Sequence, residues 1–221
     1  MISEIFKLIR KDILLELRKS HVLGGLILYV LSTIYVCYLG FESIDSQSTW
    51  NSLIWIITLF VAFNAFIKTF DHESGELEMY YYTLARPESI ILSKIIFNLI
   101  LMLILSLATV LIYSILMGTD AIRGADLVQF GFGFVLASLG FSATLTLIAG
   151  IAVKSNNNVG LTSLLGFPVI IPIILVLTDF SQVALAGMPW MENLQNLLLL
   201  VGLNVIVIAL AFVLFPYLWR D

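Results

Sequence analysis

Charged residues are scarce in this sequence. Only 12% of its 221 residues are Asp, Glu, Lys or Arg, whereas soluble domains usually carry about 25%. Hydrophobic residues make up 60% of the chain, and the mean hydropathy is +1.04. A water-soluble core cannot absorb that much apolar surface, so the composition excludes an ordinary soluble domain and indicates a protein that resides in a lipid bilayer.

Cysteine and histidine are almost absent. The one cysteine, Cys37, lies inside the first apolar stretch, so the chain cannot form an internal disulfide. His21 and His72 are the two histidines, and no Cys/His spacing typical of a metal site exists. No motif around either histidine indicates a haem ligand. We therefore expect no metal site and no cofactor bound directly by this chain.

Several motifs that carry chemistry are missing. There is no G-x-x-x-x-G-K-[ST] loop, so the chain is not expected to bind ATP by itself. No ionisable residue lies in the middle of an apolar stretch, where proton-coupled carriers need one. The polar candidates inside these stretches are Asn64, Asn98 and Asn204, which we expect to bond to neighbouring helices. The sequence therefore predicts neither an enzyme nor an ion-driven carrier.

What the chain does contain is a series of apolar stretches long enough to cross a membrane. At ~1.5 Å per residue each can cross ~30 Å of hydrocarbon, and the lipid forces such segments to be helical. The sequence thus predicts an all-α membrane protein with a single transmembrane domain over residues 1–221. Its six predicted spans lie near residues 22–41, 50–67, 95–117, 128–152, 160–178 and 196–218.

The first 21 residues predict an amphipathic helix that lies along the membrane surface. One side of this helix is apolar and the opposite side is cationic, as in helices that lie among lipid headgroups. The apolar side holds Ile5, Phe6, Ile9, Ile13 and Leu17, and the cationic side Lys7, Lys11 and Arg18. No cleavable signal peptide is expected, because this charged segment precedes the first span and no small-residue cleavage site follows it.

The basic residues predict the orientation of the chain. With six spans, both termini share one side of the membrane with residues 68–94 and 153–159. Ten of the eleven Lys and Arg residues fall on that side, and only Arg123 falls on the other. Both termini are therefore expected in the cytoplasm.

The segment 68–94 is the one long polar interruption, with eight of the charged residues of the chain. Acidic residues surround Gly75, and three tyrosines, Tyr80 to Tyr82, follow them. Pro87 is expected to begin a helix with Glu88 in its first turn, and Lys94 to mark the membrane boundary. A short helix with an apolar face and an acidic rim suits docking into a groove on a partner protein. The alternative is an ordinary solvated connector.

Two further patterns concern helix packing. Gly133, Ala137 and Gly140 share one helical face, and such a small-residue face lets two helices approach closely. Pro168 and Pro172 weaken the hydrogen bonding of the fifth span on one side, which predicts a static kink or a hinge. The predicted outer loop 179–195 contains VALAGMPWM, a stretch apolar enough to dip into the membrane.

Two stretches of the sequence resemble known families. The pattern E-x-G-x-L-E…P…K, formed by Glu73, Gly75, Glu76, Leu77, Glu78, Pro87 and Lys94, resembles the segment that couples ABC-exporter permeases to their ATPase. Lys154 followed by LTSLLGFPVIIPIIL, with Pro168 and Pro172, resembles a stretch of the CcmB family, the "haem exporter protein B" permeases of cytochrome c maturation.

The resemblance implies a permease subunit of the bacterial inner membrane that has no ATPase of its own. It implies an ATP-binding partner, CcmA, association with CcmC and CcmD, and haem delivery through the chaperone CcmE. ATP would then be bound by CcmA, and haem handled by the complex as a whole. A second copy of the chain and membrane lipid are further expected partners, and nucleic acid is not. Two alternatives stay open: a general ABC-exporter permease for a lipid or other hydrophobic substrate, and a scaffold without energy coupling.

Overall fold

The computed structural model describes residues 2–18, 20–41, 44, 46–66, 86–154 and 159–220, and most of these residues are α-helical. No strand occurs in these ranges, in agreement with the predicted all-α class. A short 3₁₀ turn covers Asp120–Ile122. The α-helices are α1 (Ile2–Arg18), α2 (Ser20–Gly40), α3 (Gln47–Phe66), α4 (Pro87–Met117), α5 (Leu127–Lys154), α6 (Val159–Leu185) and α7 (Leu194–Arg220).

Six of these helices, α2 to α7, are long and apolar enough to cross a membrane, which confirms the six predicted spans. α4 is the longest, with 31 residues. At ~1.5 Å per residue it measures ~46 Å, more than the ~30 Å of bilayer hydrocarbon. α1 packs against this long helix.

The helix at the centre of the bundle is α5. Of its span Leu127–Ala152, 83% is buried, compared with 17% for the span of α2 and 22% for that of α7. α5 contacts α3, α4, α6 and α7. Its sequence is rich in Gly, Ala, Ser and Thr, and small side chains let four neighbours approach one helix closely.

The fifth span is longer than predicted. Its predicted end was residue 178, but α6 continues to Leu185, and its last residues include the buried Phe180 and Ala184. The predicted outer loop 179–195 is thus reduced to residues 186–193 between α6 and α7. The proposed membrane-dipping loop was wrong in this part, since Val183 to Leu185 form the end of α6. The Asp179 side chain is exposed, and the helix continues past it.

The connections on this outer side meet at two glycines. Gly187 has φ +68°, and a Cβ atom built on it would lie 2.5 Å from the carbonyl oxygen of Gly124. We expect Gly187→Ala to lower the free energy of unfolding by about 2 kcal/mol, because the left-handed conformation alone costs about 1–2 kcal/mol for an L-residue. Thermal unfolding in detergent measures this loss as a lower Tm.

Gly131→Ala is the matched control for this variant. Gly131 lies in α5, and in the described part of the chain no heavy atom lies within 4 Å of the place where its Cβ would be. Alanine is the better helix former by about 1 kcal/mol, so this variant should keep or raise the Tm. Equal Tm values for the two variants would show that the contact between Gly187 and Gly124 does not constrain the outer side.

Candidate functional site: the contact between α1 and α4

The predicted coupling segment ends where α4 begins. Its acidic part, with Glu73, Gly75, Glu76, Leu77 and Glu78, lies outside the described residues, so its role stays a prediction. Pro87 is the first residue of α4, after an extended Arg86 whose carbonyl accepts hydrogen bonds from the N–H groups of Ser89 and Ile90. Glu88 lies in the first turn. The predicted helix start is thus confirmed: proline has no N–H to satisfy there, and its fixed φ suits the first turn.

Lys94 lies inside the protein and not at an open boundary. Its side chain is 6% exposed, and its Nζ atom lies 3.1 Å from Oδ2 of Asp12 in α1, whose side chain is 5% exposed. The two groups form a buried ion pair. Nζ of Lys11 lies 3.0 Å from the other carboxylate oxygen, at 28% exposure. One buried carboxylate therefore lies between two ammonium groups.

A second contact joins the same two helices. The Ser89 hydroxyl donates a hydrogen bond to Oε2 of Glu4 at 2.9 Å. Glu4, Leu8 and Asp12 are spaced i, i+4, i+8, so they lie along one side of α1, and Leu8 packs against the core between the two acids. The contacts at Glu4 and Asp12 are ~12 Å apart along the helix axis. Attachment at two such points fixes both the position and the direction of α1 on α4.

The predicted apolar side of α1 is partly exposed. Phe6 and Leu17 are 69% and 62% exposed, as expected for a helix whose apolar side lies in the membrane surface, whereas Ile5, Ile9 and Ile13 are half-buried. The sequence interpretation found the apolar and cationic sides but not the acidic contact surface between them. The spacing of Glu4 and Asp12, with Leu8 between them, could have indicated a second contact surface.

The comparison with known proteins identifies the family. The family model for CcmB, described as CcmB protein, matches residues 3–217. The chain belongs to the CcmB family. No curated protein and no solved structure matches it. CcmB proteins are multi-pass membrane permease subunits of the haem-exporting ABC transporter.

The small residues predicted for helix packing lie at the centre of this CcmB bundle. Gly133, Ala137 and Gly140 are all buried in α5. A Cβ on Gly133 would lie 3.1 Å from the Phe180 ring of α6. A Cβ on Gly140 would lie 3.0 Å from Oδ1 of Asn204 in α7 and 3.3 Å from a methyl group of Ile173 in α6. The side chains of three helices therefore meet at Gly140.

The two prolines of the CcmB stretch lie on the outside of the bundle. Pro168 and Pro172 are both exposed, and α6 continues through them as a single helix from Val159 to Leu185. Directly before Pro168, Phe167 stacks on Phe63 of α3 with ring centroids 4.6 Å apart. A role for the prolines as a hinge stays a prediction.

Of the three predicted polar residues, one bonds to a neighbouring helix as expected. The Asn98 amide of α4 donates a hydrogen bond to Thr146 of α5 at 2.7 Å. The Asn204 amide instead donates to the carbonyl of Leu200 in its own helix, at 2.8 Å. The Asn64 side chain is exposed near the end of α3.

The sequence interpretation missed a polar cluster between α3 and α6. It is centred on Asn51, which makes four side-chain hydrogen bonds. Asn51 donates to the Thr178 carbonyl at 3.0 Å and to Gln182 at 3.3 Å, and it accepts from Trp55 at 3.0 Å and from Ser181 at 2.7 Å. Nothing in the local sequence separates Asn51 from the exposed Asn64.

The structure adds no metal centre. Among the residues it describes, no group of three His, Cys, Asp or Glu side chains could hold a metal ion. His72 and the His21 side chain lie outside those residues.

Proposed function

We propose that this chain is the subunit that couples ATP hydrolysis by a separate ATP-binding subunit, CcmA, to haem handling in cytochrome c maturation. The step that ATP hydrolysis drives is haem delivery or the release of the haem-loaded chaperone CcmE. Membership of the CcmB family over residues 3–217 supports this role. So does the absence of a P-loop from the sequence, because the energy must then come from another subunit.

The arrangement of α4 is the observation that carries the proposal. α4 begins at Pro87, directly after the acidic segment, and continues without a break across the membrane. Hydrogen bonds connect it to the central helix: Asn98 to Thr146, and Ser106 to Ser138 at 3.5 Å. A push on residues 68–94 from the cytoplasm is thereby passed through α4 to α5, which contacts four of the other helices.

The proposed setting follows from the family and the charge distribution. The chain lies in the bacterial inner membrane with both termini in the cytoplasm, in a complex with CcmA, CcmC and CcmD and with a second copy of itself. CcmA holds the ATP, and haem reaches the complex through CcmE. Ten of the eleven basic residues support the cytoplasmic position of the segment 68–94.

Variants of the acidic segment test the proposal. We expect Leu77→Asp, and the double variant Glu76→Lys/Glu78→Lys, to reduce cytochrome c maturation at least tenfold, because each disrupts the apolar face or the acidic rim that would dock on CcmA. The chain should still insert in the membrane at normal levels. The measurements are haem-stained cytochrome c and the amount of chain in the membrane fraction.

Ser74→Ala is the control, since it lies in the same segment but outside the quoted pattern. Normal maturation together with normal ATPase stimulation in the Leu77→Asp variant would show that the segment is not the coupling site. Normal maturation with lost ATPase stimulation would indicate that the segment couples ATP hydrolysis to a different hydrophobic cargo.

A further inference from the structure

We propose that Asp12 and Lys94 lock α1 to the first turns of α4, so that the two helices move as one unit when the coupling segment is displaced. This inference rests on the proposed function. It assigns Asp12 a positioning role, and it makes Lys94 a residue that acts through Asp12 and not by touching the ATP-binding subunit. The four residues Glu4, Asp12, Ser89 and Lys94 are called the α1–α4 lock below.

Burial of the Lys94 ammonium is the first argument. A lysine that binds a partner protein must present its charge on the surface, but the Lys94 side chain is only 6% exposed. Its Nζ atom is 3.1 Å from a carboxylate that is buried as well. The resemblance implied a direct coupling role for Lys94, and this geometry favours an indirect one.

The cost of separating the two charges is the second argument. In a low-dielectric surrounding, an ion pair is strongly attractive, and a buried charge that loses its partner is strongly disfavoured. A movement that slid α1 along α4 would pull Asp12 away from Lys94 and Glu4 away from Ser89 together. When the coupling segment is displaced, other contacts of the bundle therefore change, and the contacts of the α1–α4 lock remain formed.

The position of α1 determines how the α1–α4 lock restricts the movement of α4. The exposed Phe6 and Leu17 of the predicted apolar side favour a position of α1 in the membrane surface. α4 is thus tied, just after the coupling segment, to a helix that burial of these side chains in lipid would keep at that surface. A push on the segment then turns α4 about this attachment and does not lift it out of the membrane.

A covalent lock tests whether the unit is rigid. In a Cys37→Ser background, Glu4→Cys and Ser89→Cys place two thiols where side chains now touch at 2.9 Å. Oxidation, or a short bismaleimide, is expected to join them in the assembled complex. ATPase-coupled cytochrome c maturation should change less than twofold on cross-linking. Failure to cross-link with either reagent, or a tenfold loss of coupling that reductant reverses for the disulfide, would overturn the proposal.

Charge variants test the roles of the individual residues. Asp12→Asn and Lys94→Met are each expected to lower cytochrome c matured per ATP hydrolysed about tenfold. Lys11→Met is the control and should change this ratio less than twofold, because it leaves the contact between Asp12 and Lys94 in place. The exchanged pair Asp12→Lys/Lys94→Asp, built with Lys11→Met to avoid two adjacent cations, should recover to within threefold of Lys11→Met.

The ratio per ATP separates a positioning role from a merely structural one. If the single variants only reduce the amount of complex and leave the ratio unchanged, Asp12 and Lys94 stabilise the fold and do nothing more, and the inference fails. The cross-link between positions 4 and 89 gives a second readout, since Asp12→Asn should lower its yield severalfold. The cross-link yield does not depend on the coupling segment. It therefore tests the α1–α4 lock even if Leu77→Asp matures cytochrome c normally and the proposed function fails.

Discussion

Gly140→Leu is expected to destabilise the folded chain by about 3 kcal/mol and to lower the yield of folded protein. A Cβ at this position would already lie 3.0 Å from the Asn204 amide oxygen and 3.3 Å from Ile173. Neither neighbour can move aside easily, because Asn204 is bonded to the Leu200 carbonyl and Ile173 is buried. Overpacking of a dense core typically costs about 1–3 kcal/mol, and a side chain four carbons larger should cost about 3 kcal/mol. That is a large part of the about 5–15 kcal/mol that stabilises a protein domain.

The yield of monodisperse protein from detergent-solubilised membranes measures this effect, together with the Tm of the folded fraction. Gly131→Leu is the matched control, since Gly131 lies in the same helix at an exposed position with open space where the Cβ would be. It should fold in near-normal yield. If Gly140→Leu folds as well as Gly131→Leu, then α5, α6 and α7 do not meet at Gly140 as described.

Asn51→Leu is expected to lower the free energy of unfolding by about 2 kcal/mol. The variant removes four hydrogen bonds between and within α3 and α6. Hydrogen bonds between membrane helices contribute on average about 0.6 kcal/mol and at most about 1.7 kcal/mol each. Part of the loss is recovered, because the Trp55 indole N–H still donates to Ser181 at 2.7 Å.

Unfolding in mixed micelles with increasing SDS measures this change. Asn64→Leu is a closely matched control: it is the same substitution in the same helix, but at an exposed side chain. It should change stability by less than about 0.5 kcal/mol. Combining Asn51→Leu with Ser181→Ala should cost less than the sum of the two single variants, because both residues belong to one network. Additive losses, or equal losses for Asn51→Leu and Asn64→Leu, would contradict the network.

These variants also show which features could be predicted from the sequence. Hydropathy and length were enough to predict the six spans, because the bilayer requires each span to be apolar, helical and long enough to cross the hydrocarbon. Local chemistry was enough for the start of α4 at Pro87. Neither property says which side of a helix meets which neighbour. Asn51 and Asn64 are the same residue type in one apolar helix, yet one is buried among bonding partners and the other is exposed.

At the candidate site, too, local patterns could be predicted from the sequence but contacts between helices could not. Lys94 could be singled out because it belongs to a local pattern, but its partner Asp12 lies in a different helix. The amphipathic pattern of α1 drew attention to the apolar side, whereas the acidic side carries the contact with α4. The end of α6 was predicted too early, because the burial of Phe180 and Ala184 depends on neighbouring helices that local hydropathy does not reveal.

The ion pair between Asp12 and Lys94 also constrains how such a chain can evolve. A neutral residue at position 12 would leave the buried Lys94 ammonium without the Asp12 carboxylate. A neutral residue at position 94 would remove one of the two ammonium groups beside Asp12. Either single substitution lowers the stability of the protein, whereas replacing both residues by apolar ones can leave the stability nearly unchanged. Substitutions at these two distant positions should therefore be inherited together, and a lineage that has lost one charge should have lost or moved the other.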